Sequence, residues 1–308
     1  MEEFEYIFEK IKNSNFETSP FKHIYLSKVF NEEHFKMITD AQEINLNSFA
    51  STEDLIDGIK KNGYQAITFP GTTTNEGDYI NWHKTKDNRT HGNANTCEGV
   101  GITYRLKKFE TEFLIRVNQF FQSPRMLEML CEKFKLEVNN QKIEGGIQKY
   151  LDGYEISPHP DIRKKSLTWM ININPMKNSE ELKIHTEYMR FVDKYQYIVP
   201  FWKHNSEIDR CWVPWDWTEM VSTQTKNNTM VIFAPDCDTL HAVKLDYNHL
   251  KGQRTQIYGN LWAKNLKEPM NCWWSDLVIE PQKKSSFYKK IVQLSPKTVI
   301  NMVRKIKG

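Results

Sequence analysis

From residue 144 to about 265 the chain changes its periodicity. The three- and four-residue apolar spacing of the preceding segment gives way to short alternating runs separated by turn residues. Strands are expected at 145–151, 154–159, 166–174, 181–189, 195–202, 219–224, 229–234, 239–245 and 253–262. Short strands in this number and spacing point to two sheets packed as a jelly roll or closed as a barrel, which removes or shields their unpaired edges. The fold class that follows is α+β with a mainly β core.

The first 143 residues read as mostly helical and packed against the outside of that core. Residues 2–13 form an amphipathic pattern, and Pro20 to Val29 an extended one. Asn31-Glu-Glu-His supplies an N-cap and an acidic first turn. A further helix is expected over 52–62, starting from Ser51 or Thr52. Residues 105–137 look helical throughout, because Phe109, Phe113, Leu114, Val117, Phe120 and Phe121 recur at helical spacing, with Ser123-Pro-Arg opening a second helix. Between them, residues 68–101 form a long polar stretch of the kind that in a compact domain is either functional or a mobile surface loop. A lid over a site is the functional reading, with Trp82, His83 and Arg89 as its substrate contacts.

Within the strand-rich part, residues 147–161 concentrate the chemistry. His159 and Asp161 stand two residues apart, so on an extended backbone both side chains leave from one face, about 6.6 Å apart. A histidine and a carboxylate lack one nitrogen to make the two-histidine, one-carboxylate face that suits non-haem Fe(II). His241 is the candidate, at the head of a strand that follows the apolar run Met230-Val-Ile-Phe233 and a turn. Thirteen residues later Arg254 opens another strand, where its guanidinium can form a bidentate pair with a carboxylate.

At these residues the chain resembles the Fe(II)/2-oxoglutarate-dependent oxygenases, in the prolyl-hydroxylase-like branch. The resemblance is carried by His159-x-Asp161, a long gap, His241, and then Arg254. The strand 166–175 and the segment Pro20-Phe-Lys-His-Ile add to it, and it covers most of residues 20–265. It implies a double-stranded β-helix, cupin-like, with Fe(II) held by His159, Asp161 and His241. It also implies 2-oxoglutarate as co-substrate, its far carboxylate on Arg254, and O2 as oxidant. Gln256 stands where the family has serine as a second carboxylate contact. Tyr150, Asn172 and Thr168 are the other candidate co-substrate contacts. Alternation over 167–173 places Leu167, Trp169, Ile171 and Ile173 on one face and Thr168, Met170 and Asn172 on the other, and the mixed face is the better pocket wall.

The implied reaction couples 2-oxoglutarate decarboxylation to C–H oxidation: hydroxylation by default, with desaturation and oxidative cyclisation using the same ligands. Arg163, Lys164 and Lys165, directly after Asp161, either attract an anionic substrate or form a solvated turn. With Trp82, Arg89 and Tyr154, Arg163 completes the candidate substrate contacts. A small metabolite, anionic or amino-acid-like, fits these residues; a protein side chain is the alternative substrate. A reading from another class is a non-catalytic jelly-roll binding protein. No basic stripe interleaved with aromatics lies near the active strands, so no nucleic-acid partner is expected.

Composition settles the surroundings. Apolar residues make up 39% and aromatics 13% of 308 residues, enough for one large core. Five cysteines form an odd count without a CxxC pair, which argues against a disulfide framework and for a reducing compartment, and the acidic N-terminus lacks a signal pattern. No apolar run of about 18 residues occurs, so no transmembrane segment and a cytoplasmic location are expected. Of the spare histidines, His185 could line the barrel and His249 is expected in an exposed turn. Trp212, Trp215 and Trp217 form either an aromatic wall for a substrate or, more commonly, a core cluster. Residues 266–308 form a basic extension: from Gln282 on there are eight Lys or Arg and no acid, leaving 34 basic against 39 acidic residues in the rest. A C-terminal helix with Val299, Ile300, Val303 and Ile306 on one side is expected there. The residues do not fix an oligomeric state.

Overall fold

The computed structural model describes residues 2–67, 75–85 and 101–266. Three short strands, β1 (His23–Leu26), β2 (Tyr64–Ile67) and β3 (Thr103–Leu106), precede the core. The core strands are β4 (Gln141–Tyr150), β5 (Glu155–His159), β6 (Lys165–Asn172), β7 (Thr186–Phe191), β8 (Thr218–Thr223), β9 (Met230–Phe233), β10 (His241–Lys244) and β11 (Arg254–Ala263). They form two antiparallel sheets. The larger runs β1-β9-β6-β11-β4-β3-β2 and the smaller β5-β10-β7-β8. Going from β4 to β11 the chain crosses between the sheets repeatedly, which is the winding of a double-stranded β-helix, so the expected jelly roll is the fold observed.

One face of the large sheet carries the main core. Leu167, Trp169 and Ile171 from β6 and Ile257 and Leu261 from β11 are buried there with Phe113 and Phe120. Those phenylalanines belong to α5 (Glu112–Phe121), which with α1 (Glu5–Asn13) and α6 (Pro124–Phe134) covers that face. Each such buried side chain contributes roughly 1.5–3 kcal/mol of transfer free energy. The other face of the sheet, with Thr168 and Met170 from β6, turns inward to the small sheet, as the alternation predicts.

The helix starts follow from their caps. The Asn31 side chain accepts from His34 N at 2.7 Å ahead of α2 (Glu32–Asp40), and Ser51 accepts from Asp54 N at 3.1 Å ahead of α3 (Thr52–Lys61). Glu43, only 1% exposed, accepts from the backbone N–H groups of Glu110 and Thr111 just before α5. Burial would raise its pKa, but these hydrogen bonds and that of the Thr111 hydroxyl outweigh burial and hold it below the usual carboxylate range.

Several expectations are corrected. Residues 105–137 are not helical throughout: β3 takes 103–106 into the large sheet beside β4, and helix begins only at Glu112. Segment 195–202 is not a strand but leads into α7 (Ile198–His204), whose first turn admits Pro200 because an N–H there has no helical partner. Strand β7 starts at Thr186 rather than 181, after a short 3-10 turn at Ser179–Glu181. Within the proposed lid, residues 76–85 form α4 (Glu76–Thr85); residues 68–74 and 86–100, with Arg89, lie outside the described residues. The basic C-terminal helix lies outside them as well. Among the described residues no helix is long and apolar enough to cross a membrane.

Candidate metal centre and cavity

His159 ends β5 and His241 opens β10, and the two are register partners across the antiparallel ladder. Their rings lie 4.2 Å apart between centroids. The ladder slips between His241 and Val243, opposite Ser157 and Pro158. Pro158 has no N–H to give to the ladder, which accounts for a bulge here that re-aims His159. Pro160 then stops β5 for the same reason, and Asp161 follows directly.

These three residues are the one group of potential metal ligands found among the described residues, with ligand atoms all within 4.8 Å of one another. Each is under a tenth exposed. His159 Nδ1 lies 2.8 Å from the Ser157 carbonyl and His241 Nδ1 lies 3.2 Å from the Thr239 carbonyl. A nitrogen facing a carbonyl oxygen must carry the proton, so in both rings Nε2 presents its lone pair to the site. The His159 Nε2 faces Asp161 Oδ1 at 3.9 Å. Burial, reinforced by the neighbouring His241, pushes the His159 pKa down to about 3, and burial also lowers that of His241. Both rings are therefore neutral at ordinary pH, the form that binds metals. Burial would raise the Asp161 carboxyl, but the Lys165 ammonium and the two imidazoles outweigh it and hold it well below the usual carboxylate range.

Asp161 is held at both oxygens. Thr168 Oγ1 donates to Oδ2 at 2.6 Å and Lys165 Nζ to Oδ1 at 2.7 Å. Thr168, expected as a co-substrate contact, lines the cavity with its hydroxyl on this carboxylate.

The trio lies on the wall of a cavity of about 420 Å³ between the sheets. Arg254, 1% exposed, lines it. The Arg254 Nη2 donates to Thr186 Oγ1 at 2.9 Å, and the guanidinium carbon lies 4.5 Å over the Tyr150 ring. Among the described residues its Nε and Nη1 are buried without any partner, as is Oε1 of Gln256. A cation left with two unsatisfied buried donors is costly unless an anion completes it. Those two donors and the neutral-imidazole, carboxylate donor set are what a 2-oxoglutarate carboxylate and a divalent iron require, so the residues present fit both groups.

The other candidates divide. Tyr150, Tyr154 and Gln256 line the cavity. Asn172 does not: its amide donates to the carbonyls of Gln224 and Lys226, and its oxygen accepts from Gln256 Nε2. Arg163 does not either, because its guanidinium donates to carbonyls at the end of α7 and just beyond it, those of Trp202, Asn205 and Ile208. Trp82 packs from α4 against the main core instead of the cavity. His249 is 2% exposed rather than in an exposed turn, with Nε2 near Thr52 Oγ1 and its ring beside His83. His185 faces the Glu180 carbonyl rather than the cavity. The tryptophans take the core alternative: Trp212 is buried in a cluster with Tyr150 and Ile184, and Trp215 and Trp217 pack on another.

Residues not anticipated complete the wall. Arg105 Nη1 donates to Glu144 Oε1 at 2.8 Å, and Trp262 Nε1 to Glu144 Oε2 at 2.6 Å. The Arg105 guanidinium lies 4.5 Å over the Tyr258 ring. The signal that could have found three of the wall residues is parity: Tyr258, Asn260 and Trp262 follow Arg254 and Gln256 at every second position of β11.

No family model matches the sequence, and no curated protein does. Among solved structures the fold is similar to a prolyl-4-hydroxylase from Pseudomonas putida, at TM-score 0.43 and 8% identity, over 84% of this chain and 98% of that one. It is also similar to a prolyl hydroxylase from Trichoplax adhaerens, solved with a hypoxia inducible factor peptide fragment, at 0.39 and 10% over 85% and 89% of the two chains. The non-heme alpha ketoglutarate dependent epimerase SnoN from nogalamycin biosynthesis follows at 0.36 and 8%, over 83% and 81%.

Proposed function

We propose that this chain is a non-haem iron oxygenase that couples 2-oxoglutarate decarboxylation to oxidation of a C–H bond in a small molecule. One observation carries the reading: His159, Asp161 and His241 converge within 4.8 Å on a cavity that also holds Arg254, two of whose buried nitrogens have no partner among the described residues. Fe(II), when bound with 2-oxoglutarate and O2, supplies an oxidant able to take a hydrogen atom from carbon.

The protein's part is to hold and orient. His159 and His241 present Nε2 because the carbonyls of Ser157 and Thr239 hold the proton on Nδ1. Thr168 fixes the rotation of the Asp161 carboxylate. Arg254, supported by Thr186 and stacked on Tyr150, receives the far carboxylate of the co-substrate and sets its orientation. Burial of all these groups strengthens each charge-assisted contact by excluding water.

A cavity of about 420 Å³ suits a metabolite, and the cations on its wall favour an anionic or amino-acid-like one. Hydroxylation is the default outcome. Cys131 and Cys237 carry free thiols, which supports a reducing, cytoplasmic setting. The test is succinate release from 2-oxoglutarate by the protein with Fe(II) under air, against Asp161→Ala. Turnover in the parent protein, even without a primary substrate, and none in the variant support the reading. A parent protein that releases no succinate with any of a panel of small carboxylates and amino-acid derivatives leaves a binding protein in its place.

A further inference from the structure

The cavity wall carries three cations, Arg105, Lys165 and Arg254, and two carboxylates, Glu144 and Asp161. Arg105 is matched by Glu144 at 2.8 Å, and Arg254 is the anchor for the co-substrate. Among the described residues the one carboxylate on Lys165 is Asp161, with Nζ 2.7 Å from Oδ1. That oxygen is the one facing His159 Nε2 at 3.9 Å, whereas Oδ2 is taken by the Thr168 hydroxyl. The ammonium and a metal ion held by the three ligands would therefore draw on the same oxygen.

Two positive charges on one carboxylate oxygen lie roughly 4 Å apart and repel strongly in a buried site. The ammonium is the one free to move, being on a flexible four-carbon stem with a side chain 21% exposed. The Trp262 indole, 5.6 Å away, gives it a face to rest on within the same cavity. A divalent metal and the dianionic co-substrate cancel in charge, so the filled cavity keeps the single positive excess of its wall. We propose that Lys165 is the receptor for an anionic group of the substrate and that occupation of the metal centre releases it from Asp161 for this role. The inference rests on the metal reading given above. The substrate class it selects is a small monoanion, such as a carboxylate, whose apolar or planar body lies against Trp262 and Tyr258.

The test uses the full chain and two probes. Mn(II) is titrated calorimetrically into the parent protein, Lys165→Met and Lys165→Arg. Benzoate and its neutral isostere benzamide are then titrated into each protein saturated with Mn(II) and 2-oxoglutarate. Lys165→Met is expected to bind Mn(II) more tightly by about tenfold, because a competing charged hydrogen bond is gone, and to lose a preference of about tenfold for benzoate. Lys165→Arg is expected to keep the benzoate preference. Unchanged Mn(II) affinity with an undiminished benzoate preference in Lys165→Met overturns the inference and leaves the metal reading standing. A parent protein that binds no Mn(II) overturns both.

Discussion

Tyr150 and Arg254 are register partners at the junction of β4 and β11, and the guanidinium of one lies 4.5 Å over the ring of the other. The pairing fixes a buried cation at the end of the cavity strand, with Nε and Nη1 unsatisfied among the described residues. Tyr247 ties the same point down, donating its hydroxyl to the Tyr150 carbonyl and accepting from Arg254 N at 3.0 Å.

Removing that cation should weaken the co-substrate and leave the chemistry. Arg254→Ala is expected to raise the 2-oxoglutarate concentration for half-maximal succinate release by roughly 10- to 100-fold, the equivalent of a charge-assisted hydrogen bond. Activity at saturation should change little. Arg254→Lys should recover only part of the loss, since a point charge lacks the planar fork. An unshifted concentration dependence in Arg254→Ala would show that the carboxylate binds elsewhere.

Thr168→Val keeps the shape of the side chain and deletes the hydroxyl that donates to Asp161 Oδ2 at 2.6 Å. Outer contacts of this kind are worth about tenfold or more in metal affinity. Competition for Fe(II) against a chelator of known strength reads the loss directly, with thermal stability as the control for folding.

Lys149 supplies a pH-dependence of stability that is independent of the metal centre. It is fully buried, donating to the Ile44 carbonyl at 2.8 Å and to Thr255 Oγ1 at 3.0 Å, and burial pushes its pKa down to about 7. The unfolded chain holds this proton up to the ordinary lysine range and the folded chain releases it earlier. The penalty for burying the charge is therefore fully present below about pH 7 and lifts as pH rises toward 10. Folding stability should gain up to about 1.4 kcal/mol per pH unit from this group in that window. Urea unfolding of the parent protein and Lys149→Met between pH 7 and 10 should show the slope in the first and its reduction in the second; equal slopes would refute the assignment.

Gly259 lets the β6 and β11 strands close on Trp169. An added methyl group would meet the indole of that fully buried residue at 1.9 Å. Gly259→Ala should destabilise the fold by about 1–3 kcal/mol through overpacking, seen as a lowered denaturant midpoint with an unchanged slope.

The course of the core was legible where one physical rule decided. Alternation put Leu167 and Ile171 in the core and Thr168 and Met170 on the cavity side, because one face had to be buried against helices, but it did not carry Asn172 to the cavity. The pattern His-x-Asp, His, Arg marked side chains that the two sheets bring together around one cavity. It failed where tertiary pairing overrode local pattern. Arg105 carries helix-compatible neighbours, yet it pairs with Gln148 across β3 and β4 and so reaches the cavity. Asn172 and Arg163 have the right chemistry, but their donors are taken by carbonyls of segments 39 or more residues away in sequence, which spacing cannot reveal. Lys165 read as one of three charges in a turn, and only its 2.7 Å contact with Asp161 sets it apart.

The most direct measurement is anaerobic Fe(II) titration of the parent protein and His241→Ala, with bound metal counted per chain. One ion per chain in the parent protein, lost in the variant while its thermal melting is retained, is the predicted result. Equal Fe(II) binding by the two proteins, or none by either, would contradict the assignment of His159, Asp161 and His241 as a single metal centre.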